Sequence, residues 1–391
     1  MQKIKQPFLE LLVRLFVGGL NLIYIPFKLL PTKDKVTFIS RLDYDAPIDF
    51  RLIIESLERH NEKIEITVLC KKLEFGLMSK LKYAPHIFRQ MYHIATSKVV
   101  VVDSYCIPLC VLHHKKSLKV IQLWHGLGSF KKFGRSILDR KESISGHVNM
   151  DSKRLAEIMH MHANYDVMIA SNSKSAAHFA EAFGYDKKFV RVISLPRVDF
   201  LTDAKKTGEL KNKIIQRYPS LKDKTNILYA PTFRRNQTDS KKLRSLIDSI
   251  DYDKYNLIIK PHPLTGDLAV DSRAVTISDF TSMQLLTVSD YVVTDYSAII
   301  YEAFLLGVPV FMYTYDKDRY VNNRGFYTPI SEMPVKEYTD AKKLIRGIDD
   351  GDYNNEEIRR FIDAQVVHKS GNSNKLADII LKFMGREGAH E

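Results

Sequence analysis

Four short segments place reactive or anion-binding side chains directly after apolar runs of the sequence. The first is QLWHG at 122–126, where His125 follows a β-branched run and is followed by glycines that permit close backbone approach. A neutral histidine in a cleft is suited to act as a general base, although a lone histidine is often a structural residue. Three basic side chains that would complement phosphate follow it: Lys131, Lys132 and Arg135.

Two further segments carry guanidinium and imidazole groups. YAPTFRR at 229–235 ends a strand and presents Arg234, which is suited to bidentate phosphate contact or is simply a solvated loop arginine. In KPHP at 260–263, Pro261 and Pro263 restrict the backbone on both sides of His262. This rigid frame favours ligand contact by His262 over a structural turn.

The fourth segment, VVTDYSAIIYEAF at 292–304, is a strand, a tight polar turn and a helix. Ser297 is predicted to cap the helix, leaving the backbone N–H groups of Ala298 and Ile299 to face an anion. Asp295 and Glu302 are expected to orient hydroxyl or ribose groups, or to brace basic residues. The alternative is an ordinary capped helix.

The elements around these segments alternate between short apolar runs and amphipathic stretches. The alternation predicts two doubly wound parallel α/β domains, because near-continuous apolar strands are buried on both faces. The boundaries are expected at 35–205 and 206–391, with a lysine-rich linker region at 203–224 and terminal helices at 355–383. The default ligand site is the cleft between the domains. Strands are expected at 36–40, 66–70, 99–103, 120–124, 167–170, 190–195, 226–230, 256–260, 274–277, 291–294 and 308–313, and helices at 47–59, 73–93, 152–163, 173–183, 240–250, 280–288 and 297–306.

Residues 1–34 form a separate N-terminal segment. The apolar stretch 8–30 contains Glu10, Arg14, Asn21 and Lys28, and lysines flank it. This pattern favours a helix or helical hairpin lying in the interface of an anionic membrane leaflet. The alternatives are a helix docked on the protein's own core or on a second subunit, and a membrane-spanning helix.

Composition is that of a folded protein with anionic partners. The chain has 391 residues, 45% of them hydrophobic and 27% charged, and a formal net charge of +13. Cys70, Cys106 and Cys110 are read as buried thiols, so neither a disulfide nor a zinc site is expected. No GxxxxGK[ST] loop is present, and the DxD triplets at 43–45, 251–253 and 316–318 are not expected to bind metal.

In this order, the motifs LWHG with KKFG, YAPTFR, KPHP and TDYSA resemble those of the CDP-glycerol glycerophosphotransferase family, the teichoic acid polyol-phosphate transferases. The resemblance covers roughly residues 118–327. It implies a two-domain fold of the glycosyltransferase B type, His125 as the catalytic base, and contact with the donor phosphates by Arg234, His262, Thr294 and Ser297. The chain departs from the commoner TDYSS at Ala298, and it has Glu302 where Asp is frequent.

The implied reaction is direct transfer of glycerol phosphate, or a related polyol phosphate, from a CDP-polyol to a hydroxyl, with release of CMP and without a cofactor. The acceptor would be an undecaprenyl-diphosphate-linked saccharide, and the enzyme would lie peripherally on the cytoplasmic face of the cell membrane. The sequence does not decide whether the donor carries glycerol or ribitol, or whether the enzyme adds one unit or many. It also leaves open whether the chain forms a homo-oligomer. The alternatives are a nucleotide-sugar glycosyltransferase of the same fold and a non-enzymatic binder of anionic membrane or nucleic acid; basic patches beside the proposed catalytic loops favour an anionic substrate over nucleic acid.

Overall fold

The computed structural model describes residues 2–60, 63–73, 76–140, 151–232, 238–260 and 271–386. It contains two parallel six-stranded sheets, each packed between helices. Most of the strands are short apolar runs with buried side chains; the exceptions lie at the sheet edges. The sequence-based prediction of an α/β fold with two parallel sheets is therefore confirmed.

The first sheet has the strand order β2-β1-β3-β4-β5-β6. Its strand order reverses between β1 and β3, which run parallel side by side. The carboxyl ends of those two strands therefore define the crevice where open α/β sheets bind ligands. Its elements are α1 Gln2–Leu29, β1 Lys35–Ser40, α2 Ile48–Arg59, β2 Glu65–Cys70, α3 Leu77–Thr96, β3 Val99–Val102, α4 Ile107–Val111, β4 Lys119–Gln122, α5 Ser152–Ile158, β5 Val167–Ala170, α6 Ser173–Phe183 and β6 Val190–Val192.

The second sheet has the order β12-β11-β10-β7-β8-β9, and its switch point lies between β7 and β10. Two helices, α7 Arg197–Leu201 and α8 Ala204–Arg217, connect it to the first sheet. Its elements are β7 Thr225–Tyr229, α9 Thr238–Ser249, β8 Tyr255–Ile259, β9 Val275–Thr276, α10 Ser282–Leu285, β10 Tyr291–Thr294, α11 Ile299–Leu305, β11 Val310–Tyr313, α12 Lys317–Asn323, β12 Lys336–Tyr338, α13 Ala341–Asp349, α14 Asn355–Gln365 and α15 Asn372–Phe383.

Several boundaries differ from those predicted. The fourth strand ends at Gln122 instead of 124, because Trp124 has a positive φ of 61° that no strand residue adopts. The sixth strand ends at Val192 instead of 195. The edge strand Lys336–Tyr338 was not predicted, because its polar sequence KEY lacks the apolar pattern of the other strands.

The N-terminal segment is one helix, not a hairpin, and one of its faces packs on the helices α3, α4 and α5 beside the first sheet. Leu20 and Tyr24 are buried, and the amide of Asn21 donates to the Val111 carbonyl at 2.9 Å. Residues 7–29 are long and apolar enough to cross a membrane by length and composition. Large apolar side chains on the rest of the helix are exposed: Phe8, Leu11, Leu12, Leu15, Phe16, Leu22, Ile23, Ile25 and Leu29.

Two sets of contacts join the first sheet and its helices, called the first unit below, to the part of the chain that follows β6, called the second unit. The segment 324–328 of the second unit lies beside the loop 129–132 of the first, where Lys132 N–H donates to the Gly325 carbonyl at 3.1 Å and Tyr327 N–H to the Phe130 carbonyl at 2.8 Å. At the other end of the chain, α15 packs on α2, and the Ser56 hydroxyl donates to Asn374 Oδ1 at 2.7 Å. The predicted boundary near residue 206 lies between the two sheets, but α15 from beyond that boundary packs on α2 from before it. The domain limits therefore stay a prediction.

Candidate active site

His125 lies three residues beyond the end of β4, at the carboxyl edge of the first sheet. Its Nδ1 lies 3.1 Å from the backbone carbonyl oxygen of Asp103, which follows the neighbouring strand β3. A carbonyl oxygen can only accept, so Nδ1 carries the proton in this contact. In the neutral ring, Nε2 therefore has the free lone pair that a general base needs.

The backbone before His125 is held in an unusual conformation. Trp124 has a φ of 61°, and its N–H donates to Gln122 Oε1 at 2.8 Å. The indole stacks on Phe133, with ring centroids 4.5 Å apart, and lies 4.2 Å from the His125 ring. Strained non-glycine residues of this kind persist where the surrounding packing enforces them, and they cluster at functional sites.

The surroundings of His125 favour its neutral form. The residue is exposed within the cleft, but the protein packed around it lowers the pKa of its imidazole from 6.5 to about 4, mainly by desolvation. The positive charges of Arg197, Arg41 and Lys131 lower this pKa further. His125 is therefore unprotonated at neutral pH.

The basic residues after His125 lie in the loop that contacts the second unit. Lys131 forms an isolated antiparallel bridge with Phe326, and the Lys132 ammonium lies 5.7 Å from the centroid of the Tyr327 ring. Arg135 donates from its guanidinium to the Met161 carbonyl at 3.2 Å, within the first unit. The structure therefore gives Arg135 a contact that stabilises the loop, and phosphate binding by these three residues stays a prediction.

The polar turn after β10 lies at the switch point of the second sheet. The Thr294 hydroxyl donates to the Ala230 carbonyl at 2.6 Å, and the residue has no exposed surface. Asp295 Oδ1 accepts from Thr232 N–H at 2.8 Å and from Tyr296 N–H at 2.6 Å. Both side chains therefore hold the two strand ends together. For Thr294 this differs from the expected phosphate contact, because its hydroxyl is committed inside the sheet.

The start of α11 differs from the predicted cap. The helix begins at Ile299, and its N-cap is Ala298, whose side chain offers no hydrogen bond. The Ser297 hydroxyl accepts from Ile299 N–H only at the long distance of 3.4 Å. Ser297 was predicted as the N-cap because serine is preferred there, but the turn after Asp295 extends one residue further. Ser297, Ala298 and Ile299 are all half-buried, so they stay candidates for ligand contact.

Glu302 is buried and pairs with a basic residue, one of the two roles expected for it. Arg197 donates from Nη1 to Glu302 Oε1 at 3.0 Å and from Nε to Asp49 Oδ2 at 2.9 Å. Asp49 belongs to α2 of the first unit and Glu302 to α11 of the second, so the guanidinium bridges the two units. Desolvation raises the pKa of Glu302. Glu302 thus braces the cleft, and its contact with a donor stays a prediction.

Close packing also joins the two strand edges at Gly128. A Cβ atom at this position would lie 2.4 Å from the Tyr301 ring of α11. The loop that carries His125 therefore rests directly on the helix of the fourth motif, which only glycine permits at this distance. This contact and the Arg197 bridge together set the distance between the histidine and the start of α11.

Two of the expected donor-binding residues, Arg234 and His262, lie outside the described residues. The residues just before them are described: Thr232 is held by Asp295, and the Lys260 ammonium donates to the carbonyls of Ile277 and Ser278, both at 3.0 Å. The two loops therefore start from the carboxyl ends of β7 and β8, as the sequence predicts. The roles of Arg234 and His262 stay predictions.

Sequence reasoning missed three charged residues that the structure brings close to His125. Arg41 follows β1, Asp103 follows β3, and Arg197 lies beyond β6. The first two stand directly after strands, the same signal that pointed to His125. They lack a neighbouring glycine or proline motif, and the partners of Arg197 come from distant parts of the chain.

Among the described residues, no group of three or more His, Cys, Asp or Glu side chains is arranged to hold a metal ion. The three cysteines are free thiols, and burial raises the pKa of each one. Their thiolates are therefore disfavoured at neutral pH. The chemistry in the described cleft rests on imidazole, guanidinium, carboxylate and backbone groups.

Comparison with known proteins identifies the family that this chain resembles. Residues 23–382 match the family described as CDP-glycerol:poly(glycerophosphate) glycerophosphotransferase. The chain is 32% identical to the teichoic acid ribitol-phosphate primase of Bacillus spizizenii over 91% of this chain and 93% of that protein. It is 27% identical to the teichoic acid glycerol-phosphate primase of Bacillus subtilis, over 94% of this chain and 96% of that one.

The solved structures show the same fold. The H548A variant of the wall teichoic acid polymerase TagF superimposes with a TM-score of 0.74 at 20% sequence identity, covering 97% of each chain. The two parallel sheets of the present chain thus have the arrangement of that transferase. The sequence match extends well beyond the four motifs and begins within α1. The chain therefore belongs to the CDP-glycerol:poly(glycerophosphate) glycerophosphotransferase family, whose members are polyol-phosphate transferases of teichoic acid synthesis.

Proposed function

We propose that this chain transfers a polyol phosphate from a CDP-polyol to a hydroxyl of a lipid-linked teichoic acid precursor and releases CMP. The observation that carries the proposal is His125, whose Nδ1 contact with the Asp103 carbonyl leaves Nε2 as the acceptor of a proton. It lies at the carboxyl edge of the first sheet, in the loop whose Gly128 packs on Tyr301 of α11.

In the proposed reaction, Nε2 of His125 takes the proton of the acceptor hydroxyl. The hydroxyl oxygen attacks the phosphorus that bears the polyol, and the bond from that phosphorus to the bridging oxygen breaks. CMP leaves with that oxygen, and a phosphodiester forms. Because phosphoryl transfer depends mainly on positioning and charge stabilisation, no covalent enzyme intermediate is needed.

The donor phosphates are assigned to the edge of the second sheet. Backbone N–H groups at 297–299 are suited to phosphate oxygens, and Arg234 and His262 would add positive charge or hydrogen-bond donors from the adjacent loops. Asp295 positions the loop after β7, because its Oδ1 accepts a hydrogen bond from Thr232 N–H. A CDP-polyol bound there would present its phosphates toward His125.

The test is incubation of the full chain with CDP-glycerol or CDP-ribitol and a lipid-linked saccharide, with CMP release and product length measured. Transfer from one CDP-polyol, with a product longer by polyol phosphate units, supports the proposal. Transfer of a sugar from a nucleotide sugar, with none from either CDP-polyol, would support the alternative glycosyltransferase function instead. The same assay separates a single addition from polymerisation.

We also propose that α1 places the enzyme peripherally on the cytoplasmic face of the cell membrane. One side of α1 is fixed to the protein by Leu20, Asn21 and Tyr24, whereas Leu11 and Leu15 are 52% and 62% exposed. A helix with one docked and one exposed apolar side is suited to lie in an anionic membrane interface, together with its flanking lysines. The enzyme would thereby meet a lipid-linked acceptor while it binds a soluble donor.

Replacing the exposed residues tests this role without removing the buried ones. The double variant Leu11→Glu and Leu15→Glu should lose binding to anionic vesicles, while its activity on short soluble acceptors is retained. The control is Val321→Glu with Val367→Glu, because these apolar residues are also exposed but lie outside α1. Equal vesicle binding by the two double variants would contradict the interfacial role and favour an oligomer interface or a spanning helix.

A further inference from the structure

Arg41 lies at the ligand-binding crevice of the first sheet. It directly follows β1, and β1 pairs with β3 at the point where the strand order reverses. The carboxyl ends of strands at such a switch point form the usual ligand crevice of an open α/β sheet. His125 lies beside this point, because its ring nitrogen contacts Asp103 at the end of β3.

The guanidinium of Arg41 lies over an aromatic ring. Its central carbon is 5.5 Å from the centroid of Tyr105, and the Tyr105 hydroxyl donates to the Met159 carbonyl at 3.1 Å, which fixes the ring. Stacking on an aromatic face leaves the edges of the planar guanidinium available for bidentate contact with an anion. Tyr105 therefore acts as a platform for Arg41.

Among the described residues, Arg41 has no carboxylate partner, although it is half-buried. No ion pair joins Arg41 to the carboxyl of Asp103, whose pKa is raised to about 6 by burial, against the opposing effect of hydrogen bonds from the Ser40 and Ser104 hydroxyls. Arg197, the other arginine near His125, is engaged by Asp49 and Glu302. A half-buried guanidinium that forms no ion pair with any described carboxylate, at a ligand crevice, is suited to bind an anionic ligand.

We propose that Arg41 binds the phosphodiester of the acceptor's terminal polyol phosphate, and so selects acceptors that already end in such a unit. The proposal rests on the proposed function. Arg41 follows a strand of the first sheet, as His125 does, whereas the donor phosphates are assigned to the second sheet, so we assign Arg41 to the acceptor. Because Arg41 lies near His125, a phosphate that Arg41 binds must be close to the attacking hydroxyl. The phosphate of a terminal polyol phosphate unit meets this condition better than the lipid diphosphate, which lies on the far side of the saccharide.

The test compares two short-chain lipid-linked saccharides that differ only in one terminal glycerol phosphate. The KM of each acceptor is measured by CMP release at a saturating CDP-polyol concentration, for the wild type, Arg41→Gln and Arg41→Lys. Arg41→Gln should raise the KM of the glycerol phosphate acceptor about 10- to 100-fold, the effect of losing a charge-assisted contact. The KM of the plain saccharide and that of the donor should not change. Arg41→Lys, which keeps the charge but not the planar fork, should lie between.

The matched control is Arg191→Gln, because Arg191 is an exposed arginine on the edge strand β6. It should leave both acceptor KM values unchanged. An equal rise in both values for Arg41→Gln, a rise in the donor KM, or equal use of the two acceptors by the wild type would overturn the inference. Absence of CMP release from any CDP-polyol by the wild type would instead contradict the proposed function.

Discussion

The two sheets have the same number of parallel strands, but their carboxyl edges carry different chemistry. At the edge of the first sheet, His125 is exposed and Arg41 is half-buried, whereas the buried Asp103 contacts His125 through its backbone carbonyl. At the edge of the second, the side chains of Thr294 and Asp295 are turned inward and bind the neighbouring strand end. The first edge is therefore suited to acid–base chemistry and acceptor recognition, and the second presents backbone groups to a donor.

The strand orders explain where each set of residues lies. The first sheet reverses between β1 and β3, and the second between β7 and β10. In both sheets a residue at the switch point supports another: the Asp103 carbonyl holds His125, and the Asp295 carboxylate holds Thr232. Two sheets of similar architecture can therefore have edges with different functions, because the residues that follow their strands differ.

The largest expected effect is on the first edge. His125→Ala should lower kcat about 10²- to 10⁴-fold, because it removes the general base, while the affinity for the CDP-polyol stays near that of the wild type. Steady-state kinetics and calorimetric titration with the donor measure the two effects. His113→Ala, at an exposed histidine of the first unit, is the control. Full turnover by His125→Ala would contradict the assignment of acid–base chemistry to the edge of the first sheet.

The next effect concerns the bridge between the units. Arg197→Met should lower the free energy of unfolding by about 3 to 5 kcal/mol, because it leaves the buried carboxyls of Asp49 and Glu302 without their counter-charge. Thermal and denaturant unfolding measure this loss. The double variant Arg197→Met with Glu302→Gln should recover part of the stability by removing one of those charges. A single variant as stable as the wild type would show that the bridge does not stabilise the fold.

A smaller effect is expected on the second edge. Asp295→Asn should raise the KM of the CDP-polyol about 10-fold, since it weakens the hydrogen bonds that position Thr232 and the loop beyond it. The value of kcat should change less than in His125→Ala. Kinetics at varied donor concentration separate the two parameters. A fall in kcat alone, with the donor KM unchanged, would mean that this edge acts in the chemical step.

The smallest effect is a shift in the pH profile. Because the pKa of His125 is lowered to about 4, its base form is present above that pH and is lost as the pH falls through it. The acid limb of kcat/KM attributable to His125 should therefore lie well below pH 6.5, the ordinary value. Profiles of the wild type and of Asp103→Asn separate His125 from Asp103, whose pKa is raised to about 6. An acid limb near pH 6.5 in both proteins would show that His125 titrates normally.

Much of the fold and the principal site residue could be predicted from the sequence. The strands 167–170 and 291–294 and the helix 173–183 have the predicted limits, because their apolar and amphipathic patterns depend on local composition. His125 could be found because a histidine between an apolar strand and glycines is a local pattern. The tautomer of His125 could not be predicted, because it is set by the backbone carbonyl of Asp103, which follows another strand.

Other features were decided only by the tertiary structure. The hydrogen bond of the Thr294 hydroxyl and the N-cap of α11 differ from the predictions, because the position of Ala230 and the conformation of the turn determine them. Arg197 is inconspicuous in the sequence, and its two carboxylate partners lie 148 and 105 residues away along the chain. Local sequence thus determined the elements and the chemistry at their ends, whereas long-range packing decided which groups are paired and which remain available for a ligand.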